Sequence, residues 1–303
     1  MKIYIHIGTH KTGSTSLQVF LRKSENALAK QGILIPNSGS PEGKSFNVSC
    51  GHHKLAWYFL GKHGISSDSS WRNLSAEIEQ HDGKKVVISA EAFDNLTTSH
   101  MAEIKNYLSG HEIYPVVYLR NPLTYMISAY KQRIKMGTYS GSFRKYLEEH
   151  INDVDYNTLI ESWISVYGKD NLKIRIFDKV KKFGIESDFC DIIGADFIEL
   201  KQYVQRQVNI SPGDKETLVM RRINRMKHLY PFKNRYDISV ILRKQVMKTN
   251  RFSNLVNTVF GLFLSKQLVK KSDIAFSHKL IDHKQEDFLN KYIEEEDKHY
   301  FEF

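Results

Sequence analysis

Cysteine is scarce in this chain, and its scarcity sets a first limit. The 303 residues contain only two cysteines, Cys50 and Cys190. Two isolated thiols make neither a disulfide framework nor the paired spacing of a metal site. We therefore expect free thiols, a reducing compartment and a cytoplasmic location.

Long apolar runs are also missing. No stretch approaches the roughly 20 residues that a membrane-spanning helix needs, and the N-terminus enters a predicted strand without the apolar region of a signal peptide. The most apolar segment, Val256–Leu264, is interpreted as a core helix, with membrane or partner contact as the alternative. The sequence predicts no transmembrane segment and leaves peripheral membrane contact open.

Positive charge is in excess but is not concentrated. The formal net charge of +10 favours an anionic ligand or partner. Lysine and arginine pairs are spread along predicted helices, whereas a nucleic-acid arm usually carries one basic block. The ordinary interpretation of each pair is a solvated basic surface. Such a surface would also attract an acidic polysaccharide or a polyanionic nucleotide, and no nucleic-acid partner is expected.

Short apolar segments alternate with amphipathic ones in the first two thirds of the chain. The predicted strands are Lys2–Ile7, Ile33–Ile35, Lys85–Ser89, Ile113–Leu119 and Leu172–Phe177. The predicted helices are Ser14–Lys30, His53–Lys62, Ser70–His81, His100–Ser109, Leu123–Met136, Tyr156–Tyr167 and Ile185–Ile193. This alternation predicts an α/β fold in three layers, with a mainly parallel sheet covered on both faces, as in P-loop proteins.

Strand signals end near residue 212. The predicted helices of the remainder are Asp214–Leu229, Asp237–Thr249, Leu255–Leu268 and His283–Lys298, with a polar interruption at Lys271–Asp273. We predict one domain over 1–303, made of a nucleotide-binding α/β core (1–211) and a helical C-terminal portion (212–303). The segment Pro36–Gly51 is rich in serine, glycine, proline and asparagine and predicts a loop.

The most informative segment, Gly8–Thr15 (GTHKTGST), joins the first predicted strand to the first predicted helix. Its glycines keep the spacing of the phosphate-binding pattern G-x-x-x-x-G-K-[ST], and Thr15 keeps the hydroxyl. Ser14 stands where the lysine is expected, and Lys11 appears three positions earlier. Backbone N–H groups, a helix dipole and Lys11 together predict an anion site. The alternative is an ordinary turn between strand and helix with a Ser/Thr N-cap.

A second phosphate-binding arrangement follows the fourth predicted strand. Arg120 stands where this strand ends, Pro122 suits the first helical position, and Ser128 lies two helical turns further on. An arginine and a serine placed in this way can hold one phosphate together. The alternative is that Arg120 pairs with a carboxylate and Ser128 only packs.

Taken in this order, the segments IHIGTHKTGSTSLQ and VVYLRNPLTYMISAYKQ resemble the two nucleotide-binding motifs of PAPS-dependent sulfotransferases, most closely the bacterial carbohydrate type. The resemblance implies that the 5′-phosphosulfate of PAPS (3′-phosphoadenosine 5′-phosphosulfate) is held by Lys11, Thr12, Gly13, Ser14 and Thr15. It implies that Arg120 and Ser128 hold the 3′-phosphate. His10 is a candidate for orienting the phosphosulfate, and Arg206 is a weaker candidate contact.

The displaced lysine fits a sulfuryl group better than a phosphoryl group. A sulfuryl group carries less charge, so its transfer needs less counter-charge than phosphoryl transfer with Mg²⁺. Lys11 near the bridging oxygen could neutralise the leaving PAP alone. We therefore expect a site without a metal.

Two residues are candidates for the base that takes the proton of the acceptor hydroxyl. Glu91 follows the third predicted strand, and carbohydrate sulfotransferases often have a catalytic glutamate in such a position. The alternative is a helix-start glutamate favoured by the dipole. His53, of the pair His52-His53, is the second candidate because a histidine is a good base near neutral pH.

The sequence thus predicts a sulfotransferase that moves the sulfuryl group of PAPS to a hydroxyl of a carbohydrate or glycolipid and releases PAP. Trp57, Trp71 and Trp163 could stack on sugars, although core packing is the usual role of tryptophan. The alternatives are a P-loop nucleotide kinase and a non-catalytic protein that binds polyanions or nucleic acid.

Overall fold

The computed structural model describes residues 1–9, 11–40, 50–205, 212–226 and 268–302. Contacts between residues divide the chain into two compact units. The first unit comprises Met1–Arg120 and Tyr156–Val208, and the second comprises Asn121–Asp155 and Asn209–Phe303. The segment after Arg120 thus groups with the C-terminal helices, whereas the sequence suggested a division near residue 211. That all residues form one domain stays a prediction.

The first unit contains one five-stranded sheet in which every neighbouring pair is parallel. Its strands are β1 (Lys2–Ile7), β2 (Ile33–Leu34), β3 (Lys85–Ala90), β4 (Glu112–Leu119) and β5 (Lys173–Ile176), in the order β2-β3-β1-β4-β5. Near-continuous apolar runs such as β1 suit this arrangement, because a parallel sheet is buried on both faces. The predicted α/β class with a mainly parallel sheet is confirmed, and each predicted strand end is within one residue of the observed end.

The helices are α1 (Ser14–Lys23), α2 (Glu25–Lys30), α3 (His53–Leu60), α4 (Ser69–Glu79), α5 (Thr98–Tyr107), α6 (Pro122–Met136), α7 (Phe143–His150), α8 (Tyr156–Tyr167), α9 (Phe177–Val180), α10 (Ile185–Ile193), α11 (Phe197–Leu200), α12 (Asp214–Met226) and α13 (Lys271–Tyr292). Short 3₁₀ turns cover Glu91–Asn95, Ile151–Val154, Lys201–Tyr203 and Glu295–Phe301. None of the described helices combines the length and the apolar character needed to cross a membrane.

Helices cover both faces of the sheet. On one face, α1, α2, α10 and α11 enclose a buried cluster that includes Tyr4, Val87 and Tyr118. Successive residues of a strand point to opposite faces, so Ile3 and Ile5 lie on the other side of β1. There α3 packs on β3 and α8 packs on β4, and α4 and α5 complete the layer.

In the second unit, α12 packs against α6, and α7 packs against α6 and α13. Tyr130, Tyr139, Tyr146 and Phe143 form an aromatic cluster between these elements. The described parts of the C-terminal portion are helical, in agreement with the sequence prediction.

The structure differs most from the predicted helices in three places. The helix predicted over Ser14–Lys30 is interrupted at Ser24, whose hydroxyl donates to the carbonyl of Phe20 at 2.8 Å. Helix α7 was not predicted, and α13 begins at Lys271, within the predicted interruption. The segments 41–49, 237–249 and 255–267, which carry parts of the predicted loop and C-terminal helices, lie outside the described residues.

The parallel register brings the carboxyl ends of the central strands to one edge of the sheet. Ile7 is opposite Ala90 of β3 and Val117 of β4. The residues that follow these strands, Gly8 and Glu91, therefore start their turns side by side.

Candidate active site

The loop between β1 and α1 has an unusual backbone. Lys11 has a φ angle of 67° and Gly13 has a φ angle of 82°, so both lie in the left-handed region. A lysine adopts this conformation at a cost of roughly 1–2 kcal/mol. Strain of this kind is frequent in ligand-binding loops, where the surrounding structure enforces it. His10, which directly precedes Lys11, is outside the described residues.

Hydroxyl groups within the loop brace it from inside. The Thr12 hydroxyl donates to the carbonyl of Thr9 at 2.6 Å, and the Ser14 hydroxyl does so at 3.3 Å. The Thr9 hydroxyl donates to the carbonyl of Tyr118 on β4. Thr12 and Ser14 are buried, so their side chains shape the loop in this structure.

The first turn of α1 presents a row of backbone N–H groups. The first helical hydrogen bond runs from Leu17 N–H to the Gly13 carbonyl at 3.1 Å, and Gly13 caps the helix without a side chain. Among the described residues, the N–H groups at 13–16 have no backbone acceptor. Such groups, at the positive end of a helix dipole, form the usual cradle for an anion.

Glu91 lies directly against the start of the loop. A Cβ atom added to Gly8 would stand 2.6 Å from Glu91 Cα and 3.1 Å from Glu91 Cγ. The N–H of Gly8 also donates to the carbonyl of Ala90, the residue before Glu91, at 3.2 Å. Only glycine permits this approach, which places the backbone and Cγ of Glu91 against the first residue of the loop.

Arg120 is also tied to the loop. Its Nη1 donates to the Lys11 carbonyl at 3.0 Å, and its guanidinium group lies 5.6 Å from the ring centre of Phe177. The hydroxyl of Tyr156 donates to the Arg120 carbonyl at 2.7 Å, which fixes the backbone at the end of β4. Burial lowers the pKa of Arg120, while the nearby Asp178 carboxylate acts in the opposite direction.

Gly13 of the loop packs against Phe177, directly after β5, and Ile185, at the start of α10. A Cβ atom on Gly13 would meet the Phe177 ring at 3.4 Å and the Ile185 side chain at 3.5 Å. The Ser16 hydroxyl donates to Glu186, the residue after Ile185. Elements from three strand ends therefore enclose the loop.

The two adjacent histidines before and at the start of α3 have different surroundings. His52 is buried and receives the N–H of Ser89 at its Nδ1 (3.0 Å), while its Nε2 donates to the Pro36 carbonyl (2.9 Å). Burial, with a smaller effect of Arg22, lowers the pKa of His52 to about 4. His52 is therefore neutral, with both nitrogens committed, and is not available as a base.

His53 is half-buried and its ring stacks on Trp57, with ring centres 5.6 Å apart. Its Nε2 lies next to Gly51, since a Cβ atom there would be 2.9 Å from that nitrogen and 2.7 Å from the side chain of Gln18. Gln18 is one helical turn after Ser14. Helix α3 also packs against the turn that begins at Glu91, so the two candidate bases belong to elements that contact each other.

A buried polar network lies beneath the loop. His6, on β1, has its Nδ1 2.8 Å from the Ser89 hydroxyl of β3, and the amide of Gln18 donates to this hydroxyl at 3.3 Å. Burial lowers the pKa of His6 to about 4, although the charge of Glu91 acts to raise it. His6 Nε2 has no hydrogen-bond partner among the described residues.

Some predicted site residues lie elsewhere. Ser128 is half-buried on α6 and belongs to the second unit, whereas Arg120 belongs to the first. Arg206, like His10, is outside the described residues. Trp71 and Trp163 are fully buried, so their suggested role in sugar stacking is wrong; Trp57 is half-buried.

Sequence reasoning overlooked the network of His6, Gln18 and Ser89. A signal was present, because His6 and Ser89 are polar residues within otherwise apolar strands, each directly before the end of its strand. Phe177 and Ile185 were missed because packing against Gly13 leaves no mark in a sequence motif.

Comparison with known proteins gives distant similarities. No protein-family model matches this chain. An uncharacterized protein of Archaeoglobus fulgidus is 30% identical over 149 residues, which are 48% of this chain and 40% of that protein. The match thus spans less than half the length of this relative.

Three solved structures align with this chain at low sequence identity. A sulfotransferase from Alicyclobacillus acidocaldarius aligns with a TM-score of 0.43 and 14% identity, covering 83% of this chain and 98% of that one. The sulfotransferase domain of the Synechococcus PCC 7002 olefin synthase aligns with a TM-score of 0.41 and 13% identity, covering 82% of this chain and 95% of that one. Mouse sulfotransferase SULT7A1 in complex with PAP aligns with a TM-score of 0.41 and 12% identity, covering 96% of this chain and 88% of that one. Similarities at this level do not assign an activity.

Proposed function

We propose that this protein is a sulfotransferase that moves the sulfuryl group of PAPS to a hydroxyl of a carbohydrate or glycolipid. The observation that carries the proposal is the contact of Glu91 with Gly8, at the start of a loop built to hold an anion. A carboxylate beside an anion cradle is unfavourable for binding alone, because like charges repel. It is suited to a reaction in which a proton must be removed next to a bound anion.

The loop fits the phosphosulfate of PAPS in the chemistry of its donors. The N–H groups at 13–16 lack backbone acceptors among the described residues, and Lys11 adds a full positive charge. Backbone donors at a helix N-terminus suit phosphate and sulfate oxygens alike. The position of Lys11, within the loop instead of after Gly13, distinguishes this loop from those of ATP-dependent P-loop enzymes.

The reaction is an in-line displacement. The acceptor oxygen forms a bond to sulfur while the bond between sulfur and the bridging oxygen of the 5′-phosphate breaks. The acceptor proton passes to the Glu91 carboxylate, and PAP leaves with the bridging oxygen, whose developing charge Lys11 and the loop N–H groups stabilise. No oxidant or reductant is required.

We propose Arg120 and Ser128 as contacts of the 3′-phosphate of PAPS, and His10 and Arg206 as additional contacts. In this structure Arg120 already donates to the Lys11 carbonyl, so it also joins the loop to the end of β4. The conformation of the loop and the hold on the 3′-phosphate would then depend on the same side chain.

The proposal of a carbohydrate or glycolipid acceptor is based on the aromatic side chains on and near α3. Trp57 and His53 form a stacked pair on this helix, and Trp57 is also close to His63, with ring centres 4.1 Å apart. Aromatic side chains of this kind provide the flat apolar surface on which sugar rings stack. The net charge of +10 favours an acceptor that already carries negative groups.

The proposal includes a cytoplasmic location and a reaction without a metal. Cys50 and Cys190 are both free thiols, as expected in a reducing compartment. A kinase and a non-catalytic binder of polyanions or nucleic acid remain the competing functions.

Ligand-dependent thermal stability separates the three functions. PAP at about 100 times its dissociation constant should stabilise the protein by roughly 2.7 kcal/mol. ADP with Mg²⁺, or an oligonucleotide, should give no such shift. Stabilisation by ADP with Mg²⁺ and not by PAP would favour the kinase, and stabilisation by the oligonucleotide alone would favour the binding protein.

The loop assignment is tested with Lys11→Ala. Lysine and alanine both carry a Cβ atom, so the backbone strain at this φ angle is unchanged. A loss of PAP affinity then reports on the missing lysine side chain and its charge. We expect PAP to bind about 30-fold more weakly, since a charge-assisted hydrogen bond contributes roughly 2 kcal/mol. Lys23→Ala, at the other end of α1, is the matched control and should bind PAP normally. A full response of Lys11→Ala to PAP would overturn the assignment.

The base is tested with Glu91→Gln and His53→Ala. Loss of a general base should lower the transfer rate by roughly 10²- to 10⁴-fold while PAP binding is kept. We expect this result for Glu91→Gln and a smaller effect for His53→Ala. Normal turnover of Glu91→Gln with loss of turnover in His53→Ala would reverse the roles.

A further inference from the structure

Ser89 occupies a central place in the buried network beneath the loop. Its side chain is 1% exposed, and it is the polar residue of strand β3 nearest to Glu91. The Ser89 hydroxyl accepts a hydrogen bond from Gln18 on α1 and lies 2.8 Å from Nδ1 of His6 on β1. One hydroxyl group therefore links β3, β1 and the helix that follows the loop.

The Ser89 hydroxyl and the His6 ring share one hydrogen bond of 2.8 Å, in which either group can be the donor, depending on the tautomer of the neutral ring. A neutral ring agrees with the fully buried position of His6. The network is consequently uncharged near neutral pH.

The backbone of Ser89 is held as firmly as its side chain. Its N–H donates to Nδ1 of His52 at 3.0 Å, and its carbonyl accepts the N–H of His52 at 2.7 Å. The His52 ring is itself anchored at Nε2 by the Pro36 carbonyl. Ser89 is thus fixed from three directions: by β1, by α1 and by the residue before α3.

Each candidate base is close in sequence to one member of the hydrogen-bonded pair Ser89 and His52. Glu91 is two residues after Ser89, where the chain leaves β3 and meets Gly8. His53 directly follows His52, and its ring lies beside Gly51 and Gln18. A shift of Ser89 would therefore be transmitted to Glu91 through two peptide units with little room for compensation.

We propose that Ser89, held by His6, Gln18 and His52, is the positioning residue that fixes Glu91 against the phosphosulfate loop. This role rests on the proposed sulfuryl transfer with Glu91 as base. Ser89 does not touch the reacting atoms. Its hydrogen bonds set the point at which the chain leaves the sheet, and hence the distance between the base and the bound sulfuryl group.

The test compares Ser89→Ala with Ser24→Ala. Ser24 is also fully buried, and its hydroxyl donates to the Phe20 carbonyl at the break between α1 and α2. Each variant loses one buried hydroxyl, so a similar loss of stability is expected. The measurements are the affinity for PAP and the rate of PAP release from PAPS, with water and with octyl β-D-glucoside as acceptors.

We expect Ser89→Ala to release PAP at least about 10-fold more slowly than the wild type, with PAP affinity within about twofold. A misplacement of 1 Å can cost about 10²-fold in rate, so a partial shift is enough. Ser24→Ala should keep both values. Equal rates for the two serine variants, measured below their unfolding temperatures, would overturn the role of Ser89.

A second pair of variants keeps the test valid if Ser89→Ala does not fold. His6→Asn retains a side-chain hydrogen-bonding group for the Ser89 hydroxyl, whereas His6→Leu removes it. We expect His6→Leu to slow PAP release and His6→Asn to restore much of it. Equal rates for both His6 variants would contradict the proposal. A wild-type protein that binds no PAP and releases none from PAPS would instead overturn the proposed function itself.

Discussion

Replacement of Gly8 by alanine is a direct perturbation of the proposed site. The added Cβ would lie 2.6 Å from Glu91 Cα and 3.0 Å from Glu91 N, both backbone atoms that cannot rotate away. The φ angle of Gly8 is outside the positive range, so backbone strain plays no part. The whole effect therefore comes from the space between the loop and the turn that carries Glu91.

The required movement can be worked out from these distances. Ordinary contact begins at 3.4 Å, so Glu91 Cα must move away by at least 0.8 Å from its distance of 2.6 Å. Overpacking of this kind costs about 1–3 kcal/mol in stability. Since a displacement near 1 Å can lower a rate by about 10²-fold, we expect PAP release from PAPS to fall by about that factor.

The assay combines urea unfolding, PAP affinity and PAP release from PAPS. Gly32→Ala is the matched control because Gly32 has a φ angle of 73° and nothing within 4 Å of an added Cβ. Its cost is backbone strain of about 1–2 kcal/mol, similar in size but remote from Glu91. We expect both variants to be destabilised and only Gly8→Ala to lose turnover. If Gly8→Ala turned over normally, the contact between Gly8 and Glu91 would not serve the reaction.

Three further predictions follow from other parts of the first unit. The pKa values of His6 and His52 are lowered to about 4 from an unfolded value near 6.5, so the unfolded state binds more protons between these values. The stabilisation is complete above about pH 6.5 and is lost as the pH falls towards 4. The loss is about 3 kcal/mol for each histidine. In urea titrations, His52→Gln should weaken this dependence of the unfolding free energy on pH. Gly13→Ala, at a φ angle of 82° and against Phe177, should weaken PAP binding by at least about 10-fold in calorimetry, and unchanged affinity would contradict the cradle. Arg22→Leu removes the donor to the Pro36 carbonyl (2.8 Å) and should destabilise the protein by roughly 2 kcal/mol, with PAP affinity unchanged.

The fold was largely predictable because it follows from local patterns. Strand β1 and helices α8 and α10 have the bounds that hydrophobic periodicity predicts. The break at Ser24 was not predictable in the same way, since it depends on a serine hydroxyl that donates to a backbone carbonyl of its own helix. Helix α7 begins with a cap, Ser142, that was overlooked, although serine is a usual start signal.

The candidate site was predictable only where a single segment carries the chemistry. The glycines and the lysine of the loop are adjacent in sequence, and their spacing indicates an anion site. The contact of Gly8 with Glu91 depends on the register of β1 and β3, which no local pattern reveals. The roles of His52 and Ser89 likewise depend on a fold that brings residues 37 positions apart into hydrogen-bond contact.

The most direct measurement of the central claim is the transfer of label from [³⁵S]PAPS. The purified protein is incubated with [³⁵S]PAPS and with capsular polysaccharide, lipopolysaccharide or octyl β-D-glucoside, and both labelled acceptor and released PAP are quantified. Sulfuryl transfer predicts a labelled glycan or glycolipid with one PAP released for each label, and loss of both in Glu91→Gln. Failure to release PAP or label any acceptor, together with binding of ADP and Mg²⁺ in preference to PAP, would contradict it.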